Sequence, residues 1–439
     1  MSAMPRRLLA LATCLALASS VALAQEPVPG RVVSDFESGH GFVPWFPAGE
    51  VADDAEIARF GGASLRLTSE GDGRPVAAEW PLPVALDAAD AFWTVWVRVD
   101  APAALTELRL QVSADDAWRA YDVYRLERQV SEVDGGVWLP LATDEADAMR
   151  VGATDASALR RLRVRIADDG SGPVTVHLDR LALVPRAPRG VVSITFDDGW
   201  ASQAEHAVPA MAERGFVGSV YVIPYLSEDP RYMGRDRLHA LAEAGWEIGG
   251  HYHPSLEGRV DPELSGILDG VRAFVGDVGI GPPATFAYPE GYVDGATVAP
   301  AVTRRFAAGR TIVEGLETLP PRDPMRLRTL TILPTLDLEV LDGYLARAAR
   351  ERAWLILVIH KLVPEPAHPT EIAPERFERV LDRVAASGLP VRTVAEVIED
   401  SASRDASAHG SSGYPGAVTV PAPPAAPAAR IDATPGATP

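Results

Sequence analysis

Residues 191–200 read VVSITFDDGW: an uncharged run rich in β-branched residues, then two adjacent aspartates, a glycine and a tryptophan. Such a run fills the interior of a parallel sheet, where both faces are covered and the polar/apolar alternation disappears. Two like charges side by side repel and resist desolvation, so a buried strand that stops on them meets solvent, a cation or a chemical task. Working outward, the chain from about 190 to 400 alternates similar runs with amphipathic stretches. Strands are predicted at 191–196, 216–223, 246–250, 284–288, 310–313, 328–333, 353–360 and 391–394. Between them, residues 202–205 carry a capping-box pattern, with Pro209 to kink the helix and Gly215 to close it. A second helix follows Asp261-Pro262, and a third opens at Pro374 and closes at Gly388. Seven or eight such units make an α/β barrel, with its chemistry at the C-terminal ends of the strands.

Upstream, residues 31–186 show short alternating segments such as FWTVWVRVD at 92–100 and LRVRIAD at 162–168, separated by Gly, Asp and Pro turns. That spacing predicts an antiparallel β-sandwich of jelly-roll-like form. Pro185 to Gly190 is the expected linker to a second domain at 189–400, and residues 401–439, rich in Pro, Ala and Ser, are expected to stay disordered. Residues 1–24 carry Arg6 and Arg7, an apolar stretch and Ala22-Leu23-Ala24, the pattern of a cleaved signal peptide, with a membrane anchor as the alternative. The apolar stretch is shorter than the roughly 20 residues a bilayer needs, so the mature chain is expected to be exported, periplasmic or secreted, with no integral membrane segment. Cys14, the single cysteine, lies in this leader, so the mature chain has neither disulfides nor thiolate ligands. The formal charge of -19 becomes -21 without the two leader arginines, which argues against nucleic acid as a partner. Oligomeric state is not legible.

Four groups at strand ends could carry chemistry. Asp197 and Asp198 point opposite ways on an extended chain, so only a turn at Gly199 lets both reach one cavity; read alone, Asp-Asp-Gly is more often a solvated turn. His251 and His253 share a side on extended backbone, about 7 Å apart, and with Asp198 give an O,N,N metal set that leaves room for water; the bland reading is two loop histidines. His360 ends the apolar strand WLILVIH, where a structural histidine is also common. Tyr288-Pro289-Glu290-Gly291-Tyr292 is a turn whose N–H groups could face a developing oxyanion or bind substrate.

TFDDG at 195–199, the histidines at 251–253, FAYPEG at 286–291 and the strand ending in His360 occur in that order in the NodB-like polysaccharide deacetylases, carbohydrate esterase family 4, which residues 190–400 resemble. The resemblance implies a distorted (β/α) barrel and a metal-dependent hydrolase that removes acetyl groups from an N-acetylated polysaccharide or oligosaccharide. It further implies one divalent ion, zinc by expectation, on Asp198, His251 and His253. Asp197 resembles the base that takes a proton from water, and His360 the acid that protonates the departing amine.

This sequence departs from the family pattern in three places. One residue separates the histidines where three is usual, with Ser255 as an alternative oxygen ligand. The third motif lacks its arginine, for which Arg328 is the substitute. Glu290 occupies an often aromatic position. In the sandwich, Trp118 and Tyr121 beside a turn are the candidate sugar-stacking rings of a carbohydrate-binding domain. Two other readings stand beside the deacetylase: a catalytically inactive glycan-binding protein on the same scaffold, and an O-acetyl carbohydrate esterase.

Overall fold

Period-two alternation organises the first part of the chain. In Ala91–Val99, Trp93, Val95, Val97 and Val99 turn to one side, and Leu108, Leu110 and Val112 do so in Leu105–Ser113. The computed structural model describes residues 30–37, 39–45, 48–278 and 284–409, so the expected leader and the tail beyond 409 lie outside the described residues. It satisfies these faces with two antiparallel sheets. One has the order Glu50–Asp54, Ser64–Thr68, Thr175–Pro185, Ala91–Val99, Trp138–Ala142, with Arg31–Ser34 also paired to Thr175–Pro185. The other runs Ala148–Val151, Tyr121–Arg125, Leu105–Ser113, Leu159–Asp168, Val76–Leu86, Val43–Pro44. Trp93, Val95 and Val97 of the first share one apolar cluster with Leu110, Val112, Val164 and Ile166 of the second. Each such burial is worth roughly 1.5–3 kcal/mol, so this shared core holds the sheets together.

Asp179, 0% exposed, accepts the Arg59 and Phe60 backbone N–H groups at 2.8 and 2.9 Å on Oδ2, while Oδ1 is buried without a partner among the described residues. Burial pushes this carboxyl up to about 6 against the pull of the two N–H bonds. A folded-state value above the unfolded one means that the folded chain binds the proton more readily, so Asp179 adds stability as pH falls from 7 through 6 towards about 4. Melting curves of the parent and of Asp179→Asn at pH 7.5 and pH 5 isolate this term. The parent is expected to gain more on acidification than the variant, and equal gains would contradict the assignment.

The second part closes a barrel of seven parallel strands in sequence order: Val191–Phe196, Ser219–Val222, Glu247–Gly250, Thr285–Ala287, Ala308–Glu314, Leu327–Thr331 and Trp354–Ile359, the last pairing with the first. Val191–Phe196 and Trp354–Ile359 are buried throughout, covered in part by Leu341 and Leu345 of helix Leu338–Glu351 and by Phe377, Val380 and Val384 of helix Pro374–Ala386. Pro209 offers no N–H to the carbonyl one turn back, and the helix there opens as a π-turn at Gln203–Ala207 before continuing as Val208–Ala212.

Two expectations fail at the C-terminal end. Residues 391–394 form no strand: Val391 makes one isolated bridge to Val192, because closure of the barrel leaves no edge for an eighth strand. The Val394 and Ala395 N–H groups instead donate to Ser219 Oγ and the Glu247 carboxylate, which caps a helix. That helix, Val394–His409, carries structure into the stretch expected to be disordered from 401.

An arginine-rich seam joins the two parts. Arg326 meets Asp134 at 2.7 Å, Arg328 and Arg347 meet Asp144 at 3.1 and 3.3 Å, and Arg186 donates to the Glu351 carbonyl at 3.4 Å.

Candidate active site

Parallel register decides which residues meet at the barrel mouth. Phe196 lies abreast of Val220 and Ile359, Val222 of Gly250, Gly250 of Phe286, and Ala287 of Arg310. The next residues along, Asp197 and His360, therefore leave the sheet abreast, and His251 and Tyr288 follow the C-terminal ends of their own strands at the same mouth, with Arg310 on the strand beside Tyr288.

Asp197, 4% exposed, holds two partners on its two oxygens. Oδ1 accepts from Arg310 Nη2 at 2.5 Å, and Oδ2 lies 3.6 Å from His360 Nε2. Arg310 is itself 1% exposed and supplies the counter-charge that a buried carboxylate requires. The arginine that the sequence placed at position 328 is therefore at 310. Arg328 belongs to the seam, bonded to Asp144 and 3.6 Å from Glu317, away from Asp197. Gln203 is a further residue that sequence reading missed. From the π-turn its Nε2 donates to the carbonyls of both Asp197 (2.6 Å) and His360 (2.8 Å), tying the two strand ends together.

Asp198 turns the other way because it adopts left-handed backbone at φ 69°, followed by Gly199 at φ 78°. Aspartate tolerates this region better than most residues. Its Oδ1 lies 3.5 Å from His251 Nε2, and its Oδ2 accepts the Trp200 indole N–H at 2.9 Å. His251 is buried, and its Nδ1 donates to the Ala287 carbonyl at 2.7 Å, which leaves Nε2 turned towards the carboxylate. Burial opposes the charge on both groups. Their mutual attraction outweighs it, holding the Asp198 carboxyl below its ordinary range and the His251 imidazole above its own.

This pair fits a divalent ion. Two donors each about 2.1 Å from one ion at a tetrahedral angle stand roughly 3.4 Å apart, close to the 3.5 Å observed between Nε2 and Oδ1. A third protein donor is not gathered. His253 is exposed, sits in a bend before Pro254, and makes no ion pair with Asp198 among the described residues. The strand ends at Gly250, so the same-side rule for residues two apart no longer applies at 251–253. Ser255 is turned to its own loop, where Oγ accepts the Glu257 N–H. Among the described residues no three His, Cys, Asp or Glu side chains converge on one point.

In the turn at 288–292 most candidates are committed elsewhere. The Tyr288 ring is buried and its N–H bonds the Arg310 carbonyl, while the Gly291 and Tyr292 N–H groups close the turn on Tyr288 and Pro289. Pro289 has no N–H. Glu290, strained at φ 56°, has an N–H with no acceptor among the described residues. It is the one backbone N–H of the turn without an acceptor among the described residues. In the two-sheet part, Trp118 stands edge-on to Tyr121 at 5.8 Å, and the Arg163 guanidinium covers the Trp118 ring at 4.0 Å while lying 3.5 Å from Trp45. A cation thus covers one face of the Trp118 ring.

Residues 185–304 match the family model for polysaccharide deacetylases. A search of curated proteins finds no match. Among solved structures, the chain is similar to a family 4 acetyl xylan esterase from Clostridium thermocellum in complex with a cobalt ion, at 18% identity and TM-score 0.36 over 48% of this chain and 90% of that one. It is also similar to a family 4 carbohydrate esterase from Streptomyces lividans in complex with acetate, at 15% identity and TM-score 0.33 over 47% and 93%. A third is a CE4 family pseudoenzyme from Bacillus anthracis, at 14% identity and TM-score 0.35 over 48% and 66%.

Proposed function

From a chain whose residues 185–304 match the polysaccharide deacetylase family, we propose an exported hydrolase that removes acetyl groups from an N-acetylated polysaccharide or oligosaccharide. One observation carries the reading: Asp197 is held between Arg310 and His360 while its neighbour Asp198 faces His251, so the two acids have separate partners. A divalent ion on Asp198 Oδ1 and His251 Nε2, zinc by expectation, would supply Lewis-acid polarisation of the acetyl carbonyl and acidify water there. The remaining work belongs to side chains. Asp197 Oδ2 accepts a proton from water as its oxygen attacks the acetyl carbon. The Glu290 N–H is the donor available to the oxyanion that develops. His360 then gives a proton to the sugar nitrogen as the C–N bond breaks, releasing acetate and a free amine.

The surface around the mouth supports a carbohydrate substrate. Tyr225, Val260, Ile312 and Val313, four of the five large apolar side chains exposed on the described barrel, stand on its C-terminal loops and strand ends. Apolar and aromatic rims of this kind suit the C–H faces of pyranose rings. The signal-peptide pattern read in residues 1–24 is what supports the exported part of this reading.

A glycan-binding protein without catalysis is the second reading, favoured by the exposed position of His253 and the missing third donor. The mature chain, supplied with zinc or cobalt, should bind about one ion and release acetate from N-acetylated oligosaccharides. O-acetylated xylan run in parallel separates amide from ester hydrolysis. No acetate from either substrate by an ion-loaded chain would overturn the hydrolase reading in favour of the binding one.

A further inference from the structure

Asp198 uses its two oxygens differently. Oδ1 faces His251 Nε2 at 3.5 Å, whereas Oδ2 is occupied by the Trp200 indole N–H at 2.9 Å. Trp200 is fixed in turn. It forms an antiparallel bridge with Tyr232, the Ala201 N–H donates to the Arg231 carbonyl and the Met233 N–H to the Gly199 carbonyl, both at 2.8 Å. Its ring stacks on Tyr232 with centroids 4.3 Å apart and planes 25° from parallel, and Lys361 Nζ lies 5.1 Å from the Trp200 ring. An indole clamped by backbone and by a ring has little freedom to withdraw its N–H.

We propose that Trp200 is a positioning residue that presents Asp198 to a divalent ion through Oδ1 alone. The inference rests on the reading of Asp198 and His251 as the ion-binding pair. Both donors of that pair are steered from behind, His251 by the Ala287 carbonyl and Asp198 by Trp200. With two protein donors and no third among the described residues, a carboxylate free to rotate spends most of its time out of position, so the orienting bond matters more here than in a site with a full ligand set. Loss of such an outer partner typically weakens ion affinity by about 10–100-fold.

The test measures zinc affinity of the metal-free mature chain by competition with a chromophoric chelator, independently of turnover. Trp200→Phe keeps a ring for Tyr232 and deletes the N–H; its affinity is expected to fall about tenfold or more with the metal-free melting midpoint little changed. Trp200→Gln deletes the ring but keeps an amide N–H at the same number of bonds from Cβ, and is expected to hold zinc more tightly than Trp200→Phe. Because the two variants disrupt packing in different degrees, this order is the reverse of what a merely structural role predicts. Zinc affinity in Trp200→Phe equal to that of the parent, or Trp200→Gln weaker than Trp200→Phe, overturns the proposal. A parent chain that binds no zinc overturns instead the reading on which it rests.

Discussion

Asp197→Asn is expected to release acetate about 10²–10⁴-fold more slowly than the parent while retaining its ion, the range over which a positioned general base contributes. Asp198→Ala is expected to lose the ion and with it the activity. The separation follows from geometry: Asp197 is engaged by Arg310 and His360, and Asp198 by His251 and Trp200, so neither acid shares a direct partner with the other. An asparagine at 197 keeps an oxygen for Arg310 but cannot accept a proton from water. Metal analysis after dialysis, paired with acetate release, reads both quantities on one sample. Loss of metal in both variants would contradict the division of labour, and unchanged acetate release in Asp197→Asn would remove Asp197 from the reaction.

How much of this was legible in the sequence depends on the range of the interaction involved. The strand ends at Phe196 and Ile359 read directly from apolar runs stopping on polar residues, because burial on both faces is a local compositional signal. Their meeting at one level is set by register, and Asp197 and His360 become partners only once the barrel is closed. Arg310 was invisible for the same reason. Within AAGRTIVE an arginine reads as a solvent-facing residue, and its burial makes sense only beside a carboxylate 113 positions earlier. Arg328 looked equally good in its own strand; its partner Asp144 lies in the other half of the chain. His253 failed differently, since a rule for extended backbone was carried past the last strand residue, Gly250. Gln203 gave no signal of its own, for its pattern is that of a helix start, and its actual bonds depend on a π-turn that Pro209 helps to create.

Arg310→Met is expected to damage both fold and reaction. Removing one partner of a buried ion pair costs about 3–5 kcal/mol, because the remaining charge loses water and counter-ion together. Asp197 is 4% exposed and Arg310 1%, so solvent cannot replace the lost contact without the barrel mouth loosening. Denaturant melts of the metal-free chain should show the loss, and any folded Arg310→Met should release acetate far more slowly than the parent. Arg328→Met separates stability from chemistry. Its pairs with Asp144 and Glu317 lie at the seam, so it is expected to melt earlier while turnover per folded molecule stays close to that of the parent. The double variant Asp197→Asn with Arg310→Met supplies the energetic control. With both charges gone it should recover part of the stability lost in Arg310→Met and none of the activity, since the cost of the single change is mainly that of the stranded carboxylate. Equal instability of the single and double variants would mean that Arg310 supports the barrel through its packing on Tyr221, 5.1 Å away, and not through Asp197.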